Sequence, residues 1–132
     1  MFNRFLVAIA TLILTGSSAS AANLRPLAQY QKISEAAGGW TWYLNKSSVR
    51  PAGPGMYTFW LTGDNGGSGK VRHTMMQVKV TCSKVLHIPL HTTHYGAGAI
   101  ILSDTLIGDH LSNRTKTRPG TPVDAAKPWV CR

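Results

Sequence analysis

The length of 132 residues fits one domain, large enough for a hydrophobic core. The 14 lysines and arginines outnumber the 5 acidic residues, and the formal net charge of +9 favours anionic partners such as lipid headgroups, polysaccharide or acidic proteins. The basic residues are spread along the chain, and their one local cluster, at 114–118, is too short to indicate a nucleic-acid-binding surface.

The N-terminus has the three regions of a secretory signal peptide in the right order. Arg4 is followed by an almost purely apolar stretch of about ten residues at 5–14, which spans roughly 15 Å as a helix, whereas a bilayer core is roughly 30 Å thick. Small residues follow, and cleavage is expected between Ala21 and Ala22. The sequence therefore predicts a signal at 1–21, a single domain at 22–132, and a periplasmic or secreted protein. No later apolar run is long enough to predict a membrane span.

The mature chain opens with a predicted helix at 24–37. Proline at position 26 suits the first turn of a helix, and two glycines at 38–39 would end it. Apolar residues recur at helical spacing, namely Leu27, Tyr30, Ile33 and Ala37.

The pattern then changes to the alternation that is typical of strands. Strands are predicted at 40–45, 57–61 and 71–82, with a turn at 51–55 and a flexible loop at 63–69. In the second strand Trp60 falls on the face opposite Phe59. The third strand has an apolar face and a polar face, as in an antiparallel sheet that is buried on one side. Its predicted buried residues are Thr74, Met76, Val78, Val80 and Cys82, and its predicted polar residues are His73, Gln77 and Lys79.

The last third of the chain predicts two more strands and a terminal helix. Leu86, Ile88 and Leu90 would continue the apolar face, in a strand that Pro89 marks as an edge or a bulge. Another short strand is predicted at 98–103 and a polar loop at 112–120. Thr121 and Pro122 then predict the start of a short helix at 123–131, with Asp124 in its first turn. The order of elements predicts an α+β domain with a small antiparallel sheet.

Two cysteines, Cys82 and Cys131, lie in the predicted mature chain. An exported protein with an even number of cysteines usually pairs them, and closing a loop of about 49 residues would contribute roughly 4 kcal/mol to stability. The alternatives are two free buried thiols or half of a metal site.

Three histidines, His87, His91 and His94, resemble a metal-binding cluster at first sight. In a strand, however, the first two would stand about 13 Å apart, too far for one ion to reach both. A turn at 92–93 could still fold the third histidine back. Acid–base chemistry has little support, since no two of the carboxylates have a reason to converge and no nucleophile elbow is present. The sequence predicts a protein that is not an enzyme and needs no cofactor or metal.

A binding face is predicted from alternation. Tyr43 and Trp60 fall opposite the core residues of their strands, where an aromatic and basic surface would suit an anionic or sugar-like ligand or another protein. The predicted face consists of Tyr43, Trp60, His73, Lys79 and His87. Alternatively, the N-terminal helix or a second subunit covers it.

Several short motifs occur in an order that resembles the surface-adhesin protein E-like domain of Gram-negative bacteria, over about residues 40–131. They are Trp42-Tyr-Leu44, Phe59-Trp-Leu61, a strand ending in Cys82, Tyr95 with a glycine-containing turn, Pro119-Gly120 and Cys131. The resemblance implies an antiparallel sheet with a C-terminal helix packed on it and a disulfide that joins the two. The namesake of the family is an adhesin that binds host extracellular-matrix and plasma proteins.

The resulting hypothesis is an exported, non-enzymatic protein that binds a protein or an anionic host or envelope macromolecule, with a homodimer as a further option. Two alternatives remain open. One is a cationic periplasmic protein that binds anionic glycolipid. The other is a small periplasmic metal-binding protein or enzyme that uses the histidines.

Overall fold

The computed structural model describes residues 29–35, 39–67 and 69–132. The predicted signal, its cleavage site and the start of the predicted N-terminal helix lie outside them. The described residues form eight strands and one α-helix. Their bounds are β1 Tyr30–Glu35, β2 Thr41–Asn45, β3 Arg50–Gly53, β4 Met56–Asp64, β5 His73–Thr81, β6 Leu86–Tyr95, β7 Ile101–Leu106, β8 Thr115–Lys116 and α1 Pro122–Val130.

All strands belong to one antiparallel sheet in the order β1-β2-β4-β5-β6-β7, with β3 pairing β4 and β8 pairing β6. The predicted α+β class and antiparallel sheet are therefore confirmed. Several boundaries differ from the prediction. β4 extends to Asp64, into the expected loop at 63–69, β5 begins at His73 instead of at 71, and β8 lies within the expected polar loop at 112–120. The expected turn at 51–55 is strand up to Gly53, and the strand expected at 98–103 is β7, which follows a 3₁₀ turn at Ala97–Ala99.

The core lies between one face of the sheet and α1. Thr121 caps the helix by accepting a hydrogen bond from the Asp124 backbone N–H, and Pro122 occupies the first helical position, as predicted. The apolar residues of α1 recur at spacings of three and four, which places them on one side of the helix. The buried cluster consists of Leu44, Phe59, Leu61, Val78 and Val80 from the sheet and Val123, Ala126 and Val130 from the helix.

A disulfide between Cys82 and Cys131 joins the end of β5 to the end of α1, with 5.6 Å between the two Cα atoms. The predicted pairing is thereby confirmed. Because the helix contributes only three buried residues, the covalent link at its last turn is an important part of its attachment to the sheet.

The helix predicted at 24–37 is wrong over its described part, since Tyr30–Glu35 is strand β1. Its backbone groups are satisfied by pairing with β2, and the register skips one residue between Lys32 and Ser34. The skipped residue is Ile33, which packs against the core cluster. The bulge thus buries an apolar side chain that the periodicity assigned to a helix.

Pro89 marks a bulge in β6, as predicted. Gln77 and Val78 are neighbours on β5, but their partners on β6 are His91 and Pro89, so that Leu90 is the extra residue. The predicted apolar face of this strand is wrong for Ile88, because it pairs with Lys79 and lies on the side of the sheet away from α1.

Candidate binding face

Cross-strand partners in an antiparallel sheet point their side chains to the same side, so the register assigns each residue to a face. The helix face packs against α1. The outer face, on the opposite side, is here defined by two cross-strand rows. One row runs Trp60, Gln77, His91 and Leu106, and the other runs Tyr43, Thr62, Met75, Thr93 and Asp104.

Four of the five residues predicted for a binding face lie on the outer face. Tyr43 and Trp60 occupy the two central rows and are half-buried. Lys79 lies two residues beyond Gln77 on β5, and His73 lies at the opposite end of the same strand, where Asp64 is its cross-strand partner. These four residues therefore share a side of the sheet, although His73 and Lys79 stand at opposite ends of it.

His87 is the exception, and its predicted place on this face is wrong. It pairs with Val80, a core residue, and therefore points to the helix face. Its Nδ1 lies 2.8 Å from the hydroxyl oxygen of Thr117, which is buried. Burial of the ring lowers the pKa of His87, and the positive charge of Lys127 on α1 lowers it further.

His91 was not among the residues predicted for the binding face, yet it takes a central position on the outer face. Its ring meets the Trp60 ring edge to face, with 5.5 Å between the centroids and 65° between the planes. The bulge at Leu90 separates the two histidines, since without an extra residue His87 and His91 would share a face.

A carboxylate holds the His91 ring in place. The Nε2 atom of His91 lies 2.5 Å from Oδ1 of Asp104, and the Thr93 hydroxyl donates to the same oxygen at 2.7 Å. The hydrogen bond from Thr93, and then that with His91, lowers the pKa of Asp104. The Trp60–His91 pair and the carboxylate that holds it therefore come from three strands, β4, β6 and β7.

Strand β7 borders the outer face and is exposed along its whole length. Leu106, the last residue of the Trp60 row, is 78% exposed. The strand also lies at the end of the sheet, so that one edge of its backbone has no strand partner among the described residues. Its exposed large apolar side chains are Ile101, Leu102 and Leu106, with Ile100 just before them.

The three histidines considered for a metal site point in different directions. His87 and His94 lie on the helix face, where His94 is 2.8 Å from the Thr74 hydroxyl, while His91 lies on the outer face. Over the described ranges, no three His, Cys, Asp or Glu side chains come close enough together to hold a metal ion.

Two of the carboxylates, Asp104 and Asp109, have different partners. Asp104 binds His91 and Thr93, whereas Asp109 binds Lys79.

In the part of the chain that the structure describes, no helix has the length and apolar character needed to cross a bilayer.

The overall fold of this sheet and its C-terminal helix is similar to that of solved structures. Crystal form II of Haemophilus influenzae protein E matches with a TM-score of 0.55 at 14% identity, over 84% of this chain and 93% of that chain. Protein E from non-typeable Haemophilus influenzae matches with a TM-score of 0.50 at 12% identity, over 84% and 80%. The chain therefore has a protein E-like fold. No protein-family model matches it, and no curated protein sequence does.

Proposed function

We propose that this chain is an exported, non-enzymatic, adhesin-like protein that binds a host or envelope protein with its outer face. The observation that carries the proposal is the paired ring system of Trp60 and His91, fixed by Asp104 on the side of the sheet that α1 leaves open. The protein E-like fold, and the adhesin that the resemblance implies, support the same function.

The outer face has the composition of a protein-binding surface. Tryptophan and tyrosine dominate binding hot spots because they contribute a large contact area at a small loss of conformational freedom. Trp60 and Tyr43 supply such rings, and the contact with His91 orients one of them before any partner arrives.

Strand β7 offers a second kind of contact beside these rings. Its free backbone edge can pair with an extended segment of a partner, while its leucines and isoleucines bury apolar surface. A second copy of the chain could use the same edge, which supports a homodimer as one form of the protein.

Export is supported by the predicted signal at 1–21 and by the disulfide. Disulfides form and persist in the periplasm or outside the cell, whereas the bacterial cytosol keeps thiols reduced. We therefore propose a periplasmic or secreted location, with removal of the signal between Ala21 and Ala22.

The location is tested by cell fractionation combined with protease treatment of intact cells. An exported adhesin-like protein is expected in the envelope or the medium, and its mass should show that the signal has been removed. Where it is displayed on the cell surface, protease should degrade it on intact cells. Full-length protein confined to the cytosol would contradict the proposal.

The binding activity is tested on surfaces coated with solubilised extracellular matrix or with plasma proteins, at two salt concentrations. We expect saturable binding that persists above physiological salt, because aromatic and backbone contacts are weakly screened. Binding that disappears between low and physiological salt would favour the anionic-glycolipid alternative instead.

A further inference from the structure

A cavity of about 370 Å³ opens at the end of the sheet where β4 and β6 begin. It lies between the turn that follows β3, the strands β5 and β6, and the segment 107–114 that leads from β7 to β8. The volume is near the lower end of the range for small-molecule sites, about 300–1,000 Å³. Its lining is mainly apolar, with Pro54, Met56, Leu86, Ile88 and Leu111.

The floor of the cavity is apolar and well buried. Ile88 is 6% exposed, although it lies on the side of the sheet away from α1 and outside the main core cluster. Its burial therefore comes from a chain segment that crosses the outer face at this end, rather than from the helix.

The chain segment that crosses the outer face here is 107–114, and hydrogen bonds attach it firmly to β5 and β6. The backbone N–H groups of Ile107 and Gly108 donate to the Leu90 carbonyl at 2.8 and 3.2 Å. Lys79 donates to both carboxylate oxygens of Asp109, at 2.9 and 2.7 Å. One wall of the cavity is thereby held in place by charge-assisted hydrogen bonds before any ligand binds.

The rim of the cavity is positively charged. Lys79, Lys84 and Arg114 line it, and no Asp or Glu is among the described lining residues. Asp109 neutralises Lys79 from outside, but Lys84 and Arg114 have no carboxylate partner in the part of the chain described. Leu111, between floor and rim, is 71% exposed and leaves apolar surface uncovered at the entrance.

We infer that this cavity binds the anion of a single-chain fatty acid. The acyl chain would lie against Ile88 and Leu111, and the carboxylate would meet Arg114 and Lys84 at the rim. A planar guanidinium matches a carboxylate with two parallel hydrogen bonds, and the small volume suits one chain rather than two. An apolar floor beneath a rim with two cations that lack a carboxylate partner favours an amphiphile of this charge.

The first test is titration of the chain without its signal, disulfide intact, with dodecanoate below its micelle concentration. We expect saturable binding of one molecule per chain. Each methylene added from octanoate to dodecanoate should tighten binding about fourfold, as burial of a methylene group does. Dodecanol and dodecyltrimethylammonium should bind at least about tenfold more weakly, because they lack the negative charge.

Two pairs of matched variants locate the site. Leu111→Asn and Arg114→Gln should each weaken dodecanoate binding about tenfold. Leu106→Asn and Arg118→Gln change an exposed leucine and an exposed arginine that do not line the cavity, so they should leave the affinity unchanged. All four positions are exposed, and their substitution should leave the fold intact.

The inference is overturned if dodecanoate shows no saturable binding, if dodecanol binds equally well, or if Leu111→Asn and Arg114→Gln bind dodecanoate like the unaltered chain. Trp60→Ala removes the ring at the centre of the outer face but does not line the cavity. It should retain dodecanoate binding, so failure of the fatty-acid site and failure of the proposed function can be told apart.

Discussion

Trp60 and His91 meet edge to face although β5 separates their strands. Both belong to one cross-strand row, in which Gln77 lies between them. The contact gives the outer face a rigid aromatic centre, because Asp104, which accepts a hydrogen bond from Thr93, fixes the imidazole from the other side. This arrangement sets the outer face apart from the helix face, where the aromatic residue Phe59 is completely buried.

The disulfide should be a major source of stability. Replacing Cys82 and Cys131 together by serine removes a cross-link between residues 49 positions apart, and we expect a loss of about 2–5 kcal/mol in the free energy of unfolding. Urea denaturation of the oxidised chain and of the double variant measures it. Dithiothreitol should destabilise the unaltered chain and leave the double variant unaffected; equal stability of the two chains would show that the helix is held by packing alone.

His87 should make stability depend on pH. Because its pKa is lowered from 6.5, the unfolded chain binds a proton more readily than the folded chain. The contribution of neutral His87 to the free energy of unfolding is therefore complete above the ordinary pKa of histidine. It is lost as the pH falls from there towards the lower pKa of His87 in the folded chain.

The test compares the free energy of unfolding at about pH 7.5 and pH 5. The unaltered chain should lose stability over this range, and His87→Gln should lose less, since glutamine keeps a polar partner for Thr117 without taking up a proton. His110→Gln, at an exposed position, serves as the control and should follow the unaltered chain. An identical pH dependence in all three would contradict the assignment.

Gly63 should be intolerant of a side chain. A Cβ atom there would lie 2.8 Å from the ring of Trp42, its cross-strand partner on the helix face. Gly63→Ala is expected to destabilise the chain by about 1–3 kcal/mol through overpacking. Thermal unfolding of the single variants and of Gly63→Ala combined with Trp42→Leu completes a double-mutant cycle. In the leucine background the alanine should be tolerated; an equal loss in both backgrounds would exclude the ring as the cause.

Much of the fold could be predicted because local and non-local preferences agree. The capped helix at Thr121, the strand β5 with its two distinct faces and the bulge at Pro89 all follow from nearby residues. β1 was missed because its helical spacing is local, whereas the pairing with β2 and the burial of Ile33 are not.

The binding face was predicted in part, for a similar reason. Alternation separates the two sides of a strand but does not tell which side faces the helix. Ile88 was assigned to the core side because it is apolar, yet it is buried by the distant segment 107–114 on the other side. That single exchange placed His87 on the wrong face, and the bulge at Leu90 is the reason that His91 lies on the opposite side of the sheet from His87.

The proposed role of the outer face is tested most directly by a pair of tryptophan substitutions. Trp60 lies on the outer face, while Trp129 lies on α1 beside Arg132, and each variant loses one indole ring. Binding of Trp60→Ala and Trp129→Ala to immobilised extracellular-matrix proteins is measured by surface plasmon resonance, with circular dichroism as a check on folding. We expect Trp60→Ala to bind about 10–30-fold more weakly and Trp129→Ala to bind like the unaltered chain. Equal binding by both variants, or a loss confined to Trp129→Ala, would contradict a binding function of the outer face.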